Sequence, residues 1–492
     1  MILFYNPLST TPGKQPLPLS LMSLAAVVEG NEPWQLVDGN LVPDPAPAII
    51  AAAREARLAS PVLAVTVMPG PQLTQAVSVC RRVRAELPEL PIVWGGYFPT
   101  QHSETVLESP YVDFVIRSQG EMALLELLQV MRSGGSFANV GSLSWKDDRG
   151  AIVHNPLRPL TSPNDLPDLP YHRVPMANYI RGDYLGSRTV AHNSSFGCPF
   201  ACNFCAVVSM SNRSWLAQSP ERVERVLRHL VRVYDVDAVQ MHDMDFFVSE
   251  ERTAEIADRI EDLGIGWWGL GRVDTLMHYS DATWRKMARS GLKMAFSGVE
   301  SGSDEMLERM NKGGKASAQL AIELARRMRE HAIVPEFSFV LGSPPDPMTD
   351  ADRTFELIRR IKRVNPATEI VLYMYTPVAF EGTLYRDARE RGFAFPETLE
   401  EWASDEWREL SMRRGDRLPW ISPNVRRRVR NFERVLNAFY PTTTDRRLTR
   451  SRRAMLRAIS SWRYRFQIYR APYELRALHR LWRYQRPETT GF

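Results

Sequence analysis

Three cysteines, Cys198, Cys202 and Cys205, stand in the run Ser195-Phe-Gly-Cys-Pro-Phe-Ala-Cys-Asn-Phe-Cys-Ala, within eight positions of a chain that has only four. One short loop that carries three thiols is built for a metal centre. Its spacing of three and then two intervening residues suits a cubane [4Fe-4S] cluster held by three thiolates, with the fourth iron left open to a substrate or cofactor. Two other readings of the same residues stand beside it. A disulfide fits poorly, because three crowded cysteines cannot all pair and the composition is that of an intracellular, cytoplasmic protein. A structural zinc site needs four ligands; there is no second cysteine pair, but His192 or His242 could complete a Cys3His set. Cys80 stands apart in an amphipathic helical pattern, Gln75-Ala-Val-Ser-Val-Cys-Arg-Arg-Val-Arg, and reads as a packing residue.

The loop must be held by regular elements, and the residues after it alternate between strand and helix patterns. Ser219-Pro220 reads as a helix cap and first-turn proline, followed by Val223, Val226, Leu227, Leu230 and Val231 at helical spacing. Strand patterns follow at Ala238–Met241, Trp267–Leu270, Met294–Ser297, Phe337–Leu341 and Ile370–Tyr375, with helical stretches between them. We read this as a partial (β/α)6 barrel that begins just after the cysteine loop. Barrel active sites gather at the carboxyl ends of the strands, and His242, Asp243, Asp245, Arg272, Ser297 and Glu300 all fall at or just beyond such ends. An aminocarboxylate ligand on an open iron needs an acceptor for its ammonium, which Asp243 or Asp245 could supply. It also needs a donor for its carboxylate, for which Arg272 is suited. Glu300 could accept from a ribose hydroxyl.

The first 135 residues carry a different array. Strand patterns at Ile2–Tyr5, Trp34–Val37, Val62–Val67, Ile92–Trp94 and Phe114–Ile116 each lead into a turn rich in glycine or proline. That predicts a Rossmann-like, doubly wound parallel sheet with a ligand crevice at the carboxyl ends of its strands. Gly95 and Gly96 would let a large planar or nucleotide-like group approach the backbone. Residues 136–184 are rich in Pro, Asn and Asp and read as an extended linker, 185–395 as the barrel, and 396–492 as a helical, arginine-rich region. The net charge is +5 and 44% of the residues are hydrophobic, an ordinary balance for a globular chain. No apolar run reaches the roughly 18 residues that span a bilayer, and the opening Met1-Ile-Leu-Phe-Tyr-Asn-Pro has the pattern of a strand rather than a signal peptide.

The Cys-x3-Cys-x2-Cys loop with Phe204 before its last cysteine resembles the radical S-adenosylmethionine superfamily. The likeness extends through His242-Asp-Met-Asp-Phe-Phe, Gly271-Arg-Val-Asp274, Ser297-Gly-Val-Glu-Ser-Gly302 and Phe380-Glu-Gly-Thr-Leu-Tyr385. With Trp94-Gly-Gly-Tyr-Phe-Pro-Thr100 and Asp113-Phe-Val-Ile-Arg-Ser-Gln-Gly-Glu121, it is similar to the cobalamin-binding branch, which includes methyltransferases and the anaerobic magnesium-protoporphyrin ester cyclase. The resemblance implies a [4Fe-4S] cluster ligated by Cys198, Cys202 and Cys205, with S-adenosylmethionine bound at the open iron and cleaved to a 5′-deoxyadenosyl radical. It places Asp243 or Asp245 against the methionyl amine, with Glu300 and Arg272 as further contacts. It implies cobalamin as well, held without a protein histidine: the Asp-x-His-x-x-Gly pattern is absent, and the nearest segment is Asp38-Gly-Asn40-Leu. An electron donor such as flavodoxin or ferredoxin goes with this chemistry.

The implied reaction is methyl transfer to an unreactive carbon of a small or lipid-like metabolite, with oxidative ring formation second. A radical enzyme that modifies RNA and a zinc-stabilised binding protein are the competing classes. The C-terminal region bears on that choice. Arg426-Arg-Arg-Val-Arg430, Arg446-Arg447, Arg452-Arg453, Trp462-Arg-Tyr-Arg-Phe-Gln-Ile-Tyr-Arg470, Trp482 and Tyr484 interleave arginine with aromatic residues. They fit a helical subdomain with solvated basic faces, a surface for an anionic substrate or peripheral membrane contact, or an RNA surface. No recognisable RNA-binding module is appended, so no nucleic acid is expected.

Overall fold

The computed structural model describes residues 1–11, 13–312, 316–377, 383–412, 418–442, 444 and 448–481. Two sheets organise the chain. The first takes strands β1 (Ile2–Asn6), β2 (Trp34–Asp38), β3 (Val62–Thr66), β4 (Ile92–Gly95), β5 (Phe114–Ile116), β6 (Leu143–Lys146) and β7 (Ile152–His154), in the order β2-β1-β3-β4-β5-β6-β7. The first five strands pair in parallel. Helices cover both faces, as continuous apolar strands such as Ile2-Leu-Phe-Tyr require. Leu19–Val28 and Glu121–Ser133 pack on one side; Pro45–Glu55 and Pro71–Glu86 pack on the other. The strand order reverses between β1 and β3, the topological switch point beyond which open α/β sheets hold their ligands.

The stretch read as a linker, 136–184, differs at its start. β6 and β7 form an antiparallel hairpin that adds to the edge of the first sheet through Phe114↔Trp145. Leu143 and Val140 bury there, which the Pro- and Asn-rich composition of the whole stretch had masked. The rest runs extended but is not loose. Tyr171, Val174, Met176 and Tyr179 are buried in a hydrophobic core that continues from the first sheet to the helix-facing side of the second.

The second sheet is all parallel: β8 (Thr189–His192), then after a two-stranded hairpin of β9 (Ser195–Gly197) and β10 (Trp215–Ala217), β11 (Ala238–Met241), β12 (Gly266–Arg272), β13 (Leu292–Glu300), β14 (Val334–Leu341) and β15 (Glu369–Met374). Its order, β15-β14-β13-β12-β11-β8, is that of an open six-stranded barrel wall. One expectation is corrected: the first strand, β8, precedes the cysteine loop, so the loop is the β8-to-β11 crossover rather than the lead-in to the barrel. Helices on the outer face begin at serines whose side chains accept from a first-turn backbone N–H, at Ser219, Ser249, Ser280 and Ser317. Period-2 alternation then divides each strand. Val239, Met241, Trp267, Ala295 and Phe337 face those helices, while Ala238, Trp268, Met294 and Val334 line the inner face.

Beyond the barrel the described residues are helical, chiefly Pro423–Phe439, Arg450–Arg465 and Tyr473–Leu481. Phe380, Arg446, Arg447, Trp482 and Tyr484 of the motifs above lie outside the described residues.

Candidate active site

The cysteines sit on an excursion pinched off by the β9–β10 hairpin. Gly197, immediately before Cys198, has φ of 87°, and a Cβ there would lie 2.1 Å from the Ser214 carbonyl oxygen, so only glycine lets the hairpin close. The loop is latched to the segment after β13. Asn203 donates its backbone N–H to Met310 O (3.1 Å) and its side chain to Arg309 O (2.6 Å), while Asn311 Nδ2 donates to Ala201 O (2.7 Å). Phe204 packs with Met306, Met310 and Tyr375, and Phe200 lies under the Arg272 guanidinium, 4.0 Å from its ring centroid. The aromatic residues that punctuate the cysteines are thus the anchors of their loop.

All three cysteines are free thiols, and Cys202 is buried. Burial pushes the Cys198 thiol up to about 12, with the Asp245 carboxylate beside it as the next cause, and burial pushes Cys205 up to about 11. Thiolate ligation to a metal therefore releases protons. Around the loop lies a cluster of buried charges. Arg272, the last residue of β12, donates from Nε and Nη2 to both oxygens of Asp274 (2.9 and 2.8 Å), from Nη1 to Cys202 Sγ (3.2 Å), and from Nη2 to the Lys312 carbonyl. Lys312 donates from Nζ to Glu300 Oε1 at 2.8 Å, and both side chains are buried. Glu300 ends β13 with φ of 67°, which turns it toward Lys312 over Gly298; a Cβ on that glycine would lie 2.1 Å from Glu300 Oε1.

The two aspartates after β11 differ. Asp243 is a brace: it accepts from the Ser194 N–H (3.2 Å to each oxygen), from Ser194 Oγ (2.8 Å) and from Ser195 Oγ, and Arg252 secures Ser194 in turn. Asp245 is less committed: Trp215 Nε1 donates to its backbone carbonyl (3.1 Å) and the Phe247 N–H acts on its carboxylate, Oδ2 lies 4.0 Å from Cys198 Sγ, and its buried Oδ1 has no partner among the described residues. Burial pushes its carboxyl up to about 7, against the pull of Arg272 and Lys312. Ser297 is placed differently from the rim residues. Between Ala295 and Val299 it points to the helix-facing side of the sheet, buried, and its Oγ has no partner among the described residues.

His192 and His242 make their hydrogen bonds away from the cysteines. His192 meets Gln218 Oε1 (3.3 Å) and Tyr171 Oη (3.5 Å). His242 sits on the inner face against Trp268 and meets Gln240 Oε1 at 3.1 Å, while Gln240 Nε2 donates to Asp183 (2.7 Å). The Cys3His arrangement therefore has no histidine turned to the loop. Among the described residues no three or more His, Cys, Asp or Glu side chains converge as around a single ion. A cubane offers each thiolate its own iron and does not ask for that convergence.

Between the two sheets lies a cavity of about 250 Å³. Thr66, Gly95, Gly96 and Ile116 bound it at the carboxyl ends of β3, β4 and β5; His192, Phe196 and Met244 bound it from the barrel. Gly96 has φ of 98° and its Cβ position is 3.1–3.3 Å from Thr66 and Val67, so the turn after β4 calls for glycine, whereas Gly95 has ordinary space. Asp38 is taken up in structure: it accepts from Asn6 (3.0 Å), Asn40 (2.8 Å) and Tyr179 (2.9 Å) and does not bound the cavity.

Two family models match the chain: the B12 binding domain over residues 6–128 and the radical SAM superfamily over residues 192–358. Residues 6–128 are thus similar to B12-binding domains, and residues 192–358 to radical SAM domains. The radical SAM match opens on the last residue of β8 and takes in the cysteine loop, Asp245, Arg272, Glu300 and Lys312. Relatives include an uncharacterized methyltransferase of Pyrococcus horikoshii, 29% identical over 55% of this chain and 58% of its own length. The anaerobic magnesium-protoporphyrin IX monomethyl ester cyclase of Synechocystis is 27% identical over 52% and 51%, and the hopanoid C-3 methylase of Methylococcus capsulatus 24% over 58% and 53%. The chain thus spans somewhat over half the length of these relatives. In fold it resembles TsrM, the radical S-adenosylmethionine methyltransferase of Kitasatospora setae (TM-score 0.64, 16% identity, 82% of this chain and 80% of that one). It also resembles the cobalamin-dependent radical enzyme OxsB (TM-score 0.63, 18% identity, 83% and 56%).

Lys312, Asp274 and the Ser194–Ser195 pair were not singled out from the sequence. Asp274 was visible inside Gly271-Arg-Val-Asp274; Lys312 carries no local signal, because only the loop's latch to Met310 brings it to the cysteines.

Proposed function

We propose that the chain is a radical S-adenosylmethionine enzyme that uses cobalamin to methylate an unactivated carbon of a small or lipid-like metabolite. The observation that carries this reading is the meeting of the three-cysteine loop with a buried, half-unpartnered Asp245 and a buried Lys312, beside a cavity at the carboxyl ends of β3, β4 and β5. Cys198, Cys202 and Cys205 would hold a [4Fe-4S] cluster, which would supply the electron for reductive cleavage of S-adenosylmethionine, and the cavity would hold cobalamin, which would supply methyl-transfer chemistry.

The residues of the chain divide the remaining work. Asp245, with a free buried oxygen next to Cys198, accepts from the methionyl ammonium, whereas Asp243 is spent on Ser194 and Ser195. Arg272 has four of its five N–H groups committed to Asp274, Cys202 and the Lys312 carbonyl, so we assign it to orienting the Cys202 sulfur. Lys312, with one partner for its three donors, is the better carboxylate donor. Glu300 holds Lys312 in place. Gly96, whose turn keeps side chains away from the ends of β3 and β4, would leave room there for a corrinoid, and the Asp38-Gly-Asn40 segment offers no imidazole to it. A one-electron donor of the flavodoxin or ferredoxin kind would be needed to reduce the cluster. The mixture of methylases and cyclases among the relatives leaves ring closure as the second reaction.

Anaerobic purification with iron, sulfide and hydroxocobalamin, followed by reduction with S-adenosylmethionine, tests this. The expected result is a broad charge-transfer absorbance, co-eluting corrinoid, and formation of 5′-deoxyadenosine or S-adenosylhomocysteine. A colourless zinc protein, or a cluster-loaded protein that leaves S-adenosylmethionine intact, would refute it.

A further inference from the structure

Ten large apolar side chains stand exposed among the described residues, and five of them, Met455, Trp462, Phe466, Ile468 and Tyr473, fall within one short stretch near the C-terminus. Trp462 is 45% exposed, Phe466 73% and Tyr473 69%. They are not scattered. Met455, half-buried Ile459, Trp462 and Phe466 follow at intervals of four, three and four along the helix Arg450–Arg465 and its cap, which places them in one stripe. The opposite face of that helix is the packed one: Leu456, Ser460 and Tyr464 are buried, and Tyr464 stacks on Phe439 at 4.5 Å.

The turn after the helix is built to present the remaining two. Arg463 is buried and donates to the carbonyls of Ile468 (3.2 Å), Arg470 (2.7 Å) and Ala471 (3.2 Å), and it pairs with Glu474 (3.0 Å). Ile468 and Tyr473 therefore project from a braced turn. From Arg450 to Leu481 the chain has nine arginines and one acidic residue, that same paired Glu474. Arg452, Arg465 and Arg470 are exposed and border the stripe, and Arg476 lies 5.4 Å from the Tyr473 ring.

We infer that this face is a docking surface for an anionic lipid bilayer, on which the helix lies in the interfacial plane. A stripe of one tryptophan, one phenylalanine and three aliphatic or thioether side chains, rimmed by arginine, matches an interfacial helix: the apolar side chains enter the headgroup boundary and the guanidinium groups meet lipid phosphates. No helix among the described residues is long and apolar enough to cross a membrane, so the contact is on the surface. A second copy of the chain suits the face badly, since a two-fold contact would set arginine rims against each other. Single-stranded RNA would use the aromatic rings but leave Met455, Ile459 and Ile468 without partners, because bases stack on π-faces. The inference is independent of the enzymatic reading, since it uses none of the cofactor-site residues.

Sedimentation of the full chain with vesicles tests it, using phosphatidylcholine alone and phosphatidylcholine mixed with phosphatidylglycerol. We expect binding to the mixed vesicles at least about tenfold above phosphatidylcholine, weakening with salt. Trp462→Ser/Phe466→Ser should lose it, and Arg465→Glu/Arg470→Glu should lose the preference for phosphatidylglycerol, both with unchanged thermal unfolding. The charge-reversal pair keeps the test open should the first variant fail to fold. Absence of vesicle binding, or equal binding by the folded variants, would overturn the inference. So would concentration-dependent dimerisation, or single-stranded RNA binding, abolished by the same substitutions.

Discussion

The cysteine loop and the cavity between the sheets are neighbours that were assembled in opposite ways. The loop delivers its three thiols from one contiguous run, closed by a glycine before it and anchored by the phenylalanines inside it. The cavity is bounded by short pieces from the ends of β3, β4 and β5, the helix after β1, the extended segment around Leu166–Tyr171, and β8 to β9. Only the Gly95-Gly96 turn among these pieces stood out in the sequence. The difference teaches that a ligand set held by bond connectivity survives in the sequence as spacing, whereas one held by packing is dispersed along the chain. The buried charges lie between these extremes: Arg272 and Asp274 are two residues apart, but Lys312 reaches them only through the latch of Asn203 and Asn311.

Substitutions can break or sharpen that contrast. The largest effect is expected at the contiguous end: Cys205→Ala should remove the iron–sulfur absorbance and reduce S-adenosylmethionine cleavage to background, read by iron analysis and 5′-deoxyadenosine formation. At the packed charges, Lys312→Met leaves Glu300 buried and unpaired. A loss of about 3–5 kcal/mol in urea unfolding should follow, together with weaker S-adenosylmethionine binding by calorimetry. If Lys312→Met lowered stability but left binding untouched, its place in the site would be structural only.

Glu336 on the inner face tests burial by pH. Its carboxyl is pushed up to about 8 by burial, with the nearby Glu369 adding and the Trp268 N–H (3.0 Å) opposing. The folded state then holds a proton that the unfolded chain releases above its ordinary value near 4.5, so stability falls as pH rises from there to about 8. Glu336→Gln should flatten that fall and stabilise the protein at pH 8 by a few kcal/mol, on the order of what such a shift is worth. Gly96→Ala, on the cavity side, should cost about 1–3 kcal/mol through its positive φ and loosen corrinoid binding while leaving cluster assembly intact. Ser297→Ala should be the smallest, within about 0.5 kcal/mol and without effect on S-adenosylmethionine affinity, because its Oγ faces the helices and has no partner to lose.

Much of the fold was legible because strand and helix periods in this chain agree with what surrounds them. The five parallel strands of the first sheet and five of the six in the second follow short apolar runs bounded by polar, glycine or proline residues. β8 was missed because Thr189-Val-Ala-His is short and its neighbours are polar. β6 and β7 were hidden by the proline and asparagine around them, and only pairing with β5 makes them strands. In the site, Asp243 and Asp245 looked equivalent, two residues apart after one strand. Alternation turns both inward from the same loop, yet the hairpin serines capture the first and leave the second. Ser297 looked like a rim residue because its run ends in a motif, but strand parity sends it outward.

The sequence by itself determined the three-thiol spacing of the cysteine loop, the alternation of strand and helix, and the basic, aromatic character of the C-terminal helices, since each is written in spacing over a few residues. Tertiary structure alone decided that Arg272 meets Cys202, that Lys312 joins the site, that a cavity opens at the ends of β3, β4 and β5, and which aromatic side chains near the C-terminus face water. Those outcomes depend on contacts between residues far apart in the chain, where side-chain direction and burial, rather than residue type, select the partner.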